Sequence, residues 1–261
     1  MTRVVFDDGA TYDKCMGRWS RAVGKTFLDW MAPPEGARWL DVGCGTGVFT
    51  QLVLDTCSPA SVIAVDPAIA QIDYARRQAV GRVADFRLAD AQALPLPDRS
   101  FDVVASALVL NFIPDRARAL TEMRRVGRPG GTVAAYVWDF AGTRSTAWPL
   151  VRGMREVGVQ VPPIPGAESG SIDALESLFV EAGFDDIATR SIEVSVAFSD
   201  FEDFWQSQLP PFSPMAAAVA ALGTTDRARL ADAVRAALPA NGDGGIAYAA
   251  RANAVKGRVP A

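Results

Sequence analysis

A chain of 261 residues, 49% of them hydrophobic, is long enough to bury one globular domain with a substantial core and does not require a second. Its formal charge of -4 supplies no basic surface for phosphate backbones, which argues against a nucleic-acid substrate and for a small molecule. Histidine is absent and the three cysteines, Cys15, Cys44 and Cys57, form no C-x-x-C pair, so no Cys/His zinc site, no metal and no histidine base are expected.

Along the chain, residues 1–19 show no strong period but gather Tyr12, Met16, Arg18 and Trp19. A helix is predicted from Ser20, as N-cap, with Val23, Phe27, Leu28 and Met31 on one face, ended by Pro33 and Pro34. Trp39, Leu40, Asp41 and Val42 then read as a buried strand. Gly43, Gly45 and Gly47 turn it into a helix carrying Val48, Phe49, Leu52 and Val53 at helical spacing, to about Asp55. Glycines at alternate positions allow positive φ and leave no side chain between the backbone and a ligand, which the open N–H groups of the helix start would face. A dinucleotide fingerprint needs a glycine where Val48 stands. Asp41, just ahead of the turn, would repel a pyrophosphate and attract an ammonium or sulfonium group.

A second apolar run, residues 61–65, closes on Asp66, 19 positions after Gly47. A carboxylate at the end of a second strand can accept from both hydroxyls of a ribose. It can equally cap the helix that Pro67 opens and that runs to Arg77. Phe86 and Leu88 alternate in a short third strand ending in Asp90 and Ala91. Residues 101–112 form the most apolar run, predicted as a central parallel strand covered on both faces. Asp115 caps a helix to Val126, and Arg128, Pro129, Gly130 and Gly131 open a fifth strand over 132–138.

Residues 140–170 interrupt the alternation and read as an insertion of the length lids and substrate walls have. A helix over 171–182 stops at Gly183, and Ile192, Val194, Val196 and Phe198 alternate with polar residues as an edge strand does. Phe201, Phe204, Trp205, Phe212 and Met215 form a second aromatic cluster, read chiefly as packing. Leu230, Val234 and Leu238 stripe a helix ended by Pro239, and a last strand over 246–255 follows a turn at Asn241 and Gly242.

The segment LDVGCGTG at 40–47 resembles the first motif of class I S-adenosylmethionine-dependent methyltransferases. The likeness is to the small-molecule, type 11-like members, similar to ubiquinone and menaquinone C-methyltransferases. DAQALPLPDRSFDVV at 90–104 and the PGG turn fit the same pattern. The resemblance implies an α/β, Rossmann-like, doubly wound sheet of seven strands in the order 3-2-1-4-5-7-6. It implies one domain over 1–261, with an N-terminal cap at 1–34 and lid insertions at 139–170 and 199–240. S-adenosylmethionine is the implied cofactor and S-adenosylhomocysteine its product. Asp41, Gly43, Gly45 and Gly47 would hold the amino-acid portion, Asp66 and Pro67 the ribose, and Asp90 and Ala91 the adenine, with Ser106 to Leu108 by the methionine part. The stretch YDKCMGRWSR would fold over the cofactor and bring in Tyr12 and Arg18. Many relatives carry a histidine near the position of Asn111, and this sequence departs from them there.

The acceptor would be a small molecule methylated on O, N or C. A base is needed only if that acceptor loses a proton, and the candidates are carboxylates such as Asp139, or Tyr12; the residues do not choose among them. A nucleotide-binding oxidoreductase and a non-catalytic S-adenosylmethionine-binding protein are the alternatives. The odd cysteine count and the early Asp7 and Asp8 suggest a reducing cytoplasm, and the longest uncharged apolar run, 103–113, is too short for membrane insertion.

Overall fold

A computed structural model describes residues 9–211, 213–239 and 245–261, and for 9–15 the backbone alone. Strands β1 (Arg38–Val42), β2 (Ser61–Asp66), β3 (Asp85–Leu88), β4 (Phe101–Ala107), β5 (Gly127–Trp138), β6 (Asp185–Phe198) and β7 (Ile246–Arg258) form one sheet in the order 3-2-1-4-5-7-6. The first five run parallel, while β7 pairs antiparallel with both β5 and β6. This is the expected sheet.

Helices cover both faces. Trp39, Val62, Ala64, Val103, Ala105, Ala134 and Tyr136 point one way, and their near neighbours Leu40, Val65, Val104, Val133, Ala135 and Val137 the other, giving two separate cores. On the first face lie α1 (Gly9–Met31), α2 (Val48–Thr56) and α3 (Ile69–Arg77). The second is covered by α4 (Arg116–Val126) and α6 (Ile172–Glu181); Asp115 caps the first from its side chain as expected, and Ser171 caps the second.

The segments read as additions to the plain alternation join the first core. They are α5 (Trp148–Glu156), α7 (Phe201–Gln208), α8 (Pro214–Ala220) and α9 (Thr224–Ala236). Gly153 of α5 lets α9 approach so closely that a Cβ there would stand 2.7 Å from a Val234 methyl. Phe204 is fully buried against Phe198 at 5.1 Å, and Phe201 stacks on Trp205 at 5.8 Å. These aromatics pack, as expected; Phe212 lies outside the described residues, as do Asn241 and Gly242.

Three expectations need correction. The first helix is already formed at Gly9, the first described residue, and Ser20 is not its N-cap but sits within it, 8% exposed, on the stripe that also holds Trp19 and Val23. A serine buried on a helix face and a serine at a cap look alike in sequence. The apolar run 101–112 is not one strand: β4 stops at Ala107 because Leu108 takes φ 62, and residues 110–112 form a 3-10 turn. The glycines at 130 and 131 do not precede β5 but lie inside it, in a bulge that shifts the β4–β5 register between Phe101 and Val103. Among the described residues no helix is long and apolar enough to cross a membrane.

Candidate cofactor site

The carboxyl ends of β1, β2, β3 and β4 place the sequence-predicted residues along one edge of the sheet. The turn after β1 is pinned to β2, since Gly43 and Cys44 both donate their N–H to the Val65 carbonyl, at 2.7 and 3.0 Å. All three glycines have positive φ, 80, 52 and 86, which a side chain would resist. At Gly43 and Gly47 packing adds a second reason, because a Cβ would press on Val109 at 2.5 Å and on Phe86 at 3.0 Å. Gly45 differs. A Cβ there would meet no atom within 4 Å, so this peptide faces open space.

Asp66 ends β2 at the middle of this edge. Its Oδ2 accepts from the Gly45 N–H at 3.0 Å and its Oδ1 from the Ala68 N–H at 2.8 Å. The second bond is an Asx turn into α3 past Pro67, so the helix-initiating role and the glycine-turn contact coexist, although the N-cap itself is Ala68. Burial raises the Asp66 carboxyl above its ordinary range, against the lowering effect of those two N–H groups.

Asp41 lies beneath the turn and is fully buried. Thr50, in the first turn of α2, donates to its Oδ2 at 2.6 Å, while Oδ1 has no partner among the described residues. Burial pushes this carboxyl up to about 7; the Thr50 bond opposes that rise and the nearby Asp66 adds to it. Thr46 Oγ1 and Ser106 Oγ are likewise buried without a partner among the described residues. Buried polar groups are normally satisfied, so the idle Asp41 oxygen and Thr46 hydroxyl mark a place shaped for something polar, whereas Ser106, one residue past Ala105 on β4, projects to the other face of the sheet from Asp41.

Past β3, Asp90 is exposed, and Ala91 beside it is buried. The Gln92 backbone N–H donates to Asp90 Oδ1 at 2.9 Å and the Gln92 side chain reaches both its oxygens. Gln92 is in turn held by Arg118 and by the Asp115 N–H, so α4 fixes the orientation of the loop. Leu88, in register with Asp66, and Ile69 on α3 are both about half exposed, an unusual surface for large apolar side chains.

Three further candidates remain. Arg18 makes a bidentate ion pair with Asp203, at 2.9 and 2.5 Å, donates to the Ala197 carbonyl and lies over the Phe198 ring. A cofactor role would have to break that pair. Tyr12 lies in α1, but its side chain is outside the described residues. Asp139, a candidate base, accepts the Gly142 N–H at 3.0 Å and stands 3.9 Å from the Arg251 guanidinium, which commits it to the turn after β5.

Thr50 and Gln92 escaped the sequence reading. Thr50 is a polar residue in the first turn of a largely apolar helix, which is a weak signal; Gln92 depends on contacts distant in the chain.

Comparison with known proteins agrees with this geometry. Residues 40–135 match the family described as a methyltransferase domain. The malonyl-[acyl-carrier protein] O-methyltransferase of Yersinia pestis is 41% identical over 128 residues, 47% of this chain and 45% of that protein. A demethylmenaquinone methyltransferase of Roseiflexus castenholzii is 38% identical over 103 residues, 40% of this chain and 43% of that protein. The chain thus spans about half the length of the curated relatives it matches. Among solved structures, phosphoethanolamine N-methyltransferase 2 of Haemonchus contortus, in complex with S-adenosylhomocysteine, superposes with TM-score 0.59 at 17% identity, over 96% of this chain and 56% of that one. At that identity the likeness is one of fold.

Proposed function

We propose that this chain, which carries a methyltransferase domain over residues 40–135, transfers the methyl group of S-adenosylmethionine to a small-molecule acceptor. The observation that carries the reading is the alignment of Asp41, the open Gly45 peptide, Asp66 and Asp90 along successive strand ends, with buried oxygens at Asp41 and Thr46 lacking partners among the described residues. These residues fit the cofactor's chemistry. Asp41 Oδ1 suits an ammonium group, Asp66 two hydroxyls, and Asp90 with the Ala91 N–H the edge of a purine. Exposed Ile69 and Leu88 offer apolar surface to a flat ring beside Asp66, and Pro67 shapes the approach between them.

When bound, this cofactor supplies a methyl group already activated on sulfonium. The protein then has little covalent work. Its part is to hold donor and acceptor in line and to keep water out, an effect that can reach about 7–11 kcal/mol in favourable systems. Leu108, held at φ 62 by its N–H bond to the Tyr136 carbonyl at 2.8 Å, turns the chain after β4 back over the site. We read α1 as the cap, and α5 with α7 to α9 as a helical lid of the same single domain, because all of them close on one core at that edge. Cys44 and Cys57 are buried free thiols, which suits a cytoplasmic setting.

The test is a product assay. Purified protein with labelled S-adenosylmethionine and a panel of small acceptors offering O, N and C nucleophiles should release S-adenosylhomocysteine in step with a labelled product. Cofactor binding without turnover on any of them would favour a binding protein.

A further inference from the structure

The turn after β4 holds hydrogen-bonding capacity on the side of the site away from ribose and adenine. Val109 packs against Gly43, and two residues on, Asn111 is 3% exposed with both atoms of its side-chain amide lacking a partner among the described residues. Next to it, Arg116 at the start of α4 donates from Nη2 to the Asn111 carbonyl at 3.0 Å, while its Nε is buried and unpartnered among the described residues. The wall over this pair is residues 166–170. Gly166, at φ 69, comes so close that a Cβ would stand 1.8 Å from the Asn111 carbonyl oxygen. Glu168 on the same wall, three-quarters exposed, lies 3.5 Å from Arg116 Nη2.

Leaving a buried amide and a guanidinium N–H idle is costly, and an apolar side chain of similar shape would avoid the cost at position 111. The idle donors sit beside β5 and the 167–170 turn, not beside β2 and β3, where the nucleoside end of the cofactor is assigned. That leaves them on the side of the site where a second substrate would enter. Two neighbouring donors, one on a permanent cation, match the two oxygens of a carboxylate better than any neutral group.

We propose, resting on the methyl-transfer reading, that Asn111 and Arg116 determine specificity for an acceptor that carries a carboxylate. Asn111 Nδ2 and Arg116 Nε donate to its oxygens, and Glu168, paired with Arg116 through Nη2, offsets part of the positive charge that the acceptor would meet.

The experiment titrates S-adenosylhomocysteine-saturated protein with propionate and, as a matched neutral control, propionamide, followed by amide chemical shifts. Wild type should prefer propionate by about tenfold or more, the scale of one charge-assisted hydrogen bond. Asn111→Leu and Arg116→Met should each remove that preference while binding S-adenosylhomocysteine within about twofold of wild type. Glu168→Gln, an exposed change that cannot disturb the core, should tighten propionate binding. Equal binding of the two probes by wild type, or no gain in Glu168→Gln, overturns the proposal. Failure of wild type to bind S-adenosylhomocysteine would instead sink the methyl-transfer reading, and this inference with it.

Discussion

The Gly45 N–H donates to Asp66 Oδ2 at 3.0 Å, so the turn after β1 and the carboxylate ending β2 form one rigid unit. The bond spans 21 residues of chain and both crossing elements. It explains how a loop of three glycines, each entropically costly to order, keeps a fixed shape.

Two glycines of that loop separate folding from binding. Gly45→Ala must hold an alanine at φ 52 but meets open space, so we expect a loss of about 1–2 kcal/mol in urea unfolding together with loss of cofactor binding. Gly43→Ala adds a clash with Val109 at 2.5 Å to a φ of 80, and should cost about 2–4 kcal/mol. Equal destabilisation by the two, or intact binding in Gly45→Ala, would contradict this assignment.

Asp41 makes the site pH-dependent. Its carboxyl, at about 7 against an ordinary 3.8, holds its proton more tightly folded than unfolded. Its contribution to stability therefore falls as pH rises from about 4 to about 7 and is level above that. If the ionised form meets the cofactor's ammonium, affinity should rise by up to about tenfold per pH unit below 7 and plateau beyond. Asp41→Asn should flatten both profiles and, at pH about 8, be at least as stable as wild type while binding more weakly. Unfolding and calorimetric titrations at matched pH values check each slope.

Arg18 and Asp203 are 185 residues apart and tie α1 to α7. The Arg18 guanidinium holds the Asp203 carboxyl below its usual range, so the link weakens only when pH falls through that depressed value. Both side chains are partly exposed, and Arg18→Ala or Asp203→Asn should cost under about 1 kcal/mol of global stability. Hydrogen exchange in residues 199–209 should nevertheless quicken. Unchanged exchange there would mean that core packing alone holds the lid.

Much of this architecture was legible because its signals are local. The glycine turn, the acidic residues at 41, 66 and 90, and the cap at Asp115 each declare themselves within a few residues, through backbone conformation or a nearby N–H. Leu108 did not, since a left-handed residue inside an apolar run has no sequence mark; nothing but the fold shows that β4 ends at Ala107. The start of α1 was missed because Ser20 mimics a cap. Arg18 with Asp203, and Asn111 with Gly166, depend on segments brought together from opposite parts of the chain, which no local period encodes.

The most direct measurement is calorimetric titration of the purified chain with S-adenosylhomocysteine and separately with NADH, in wild type and in Asp66→Ala. The account predicts micromolar binding of the first ligand, about -8 kcal/mol, weakened roughly a hundredfold in the variant as two charge-assisted bonds are lost, and no binding of NADH. NADH binding in place of S-adenosylhomocysteine, or a variant that binds as wild type does, would contradict it.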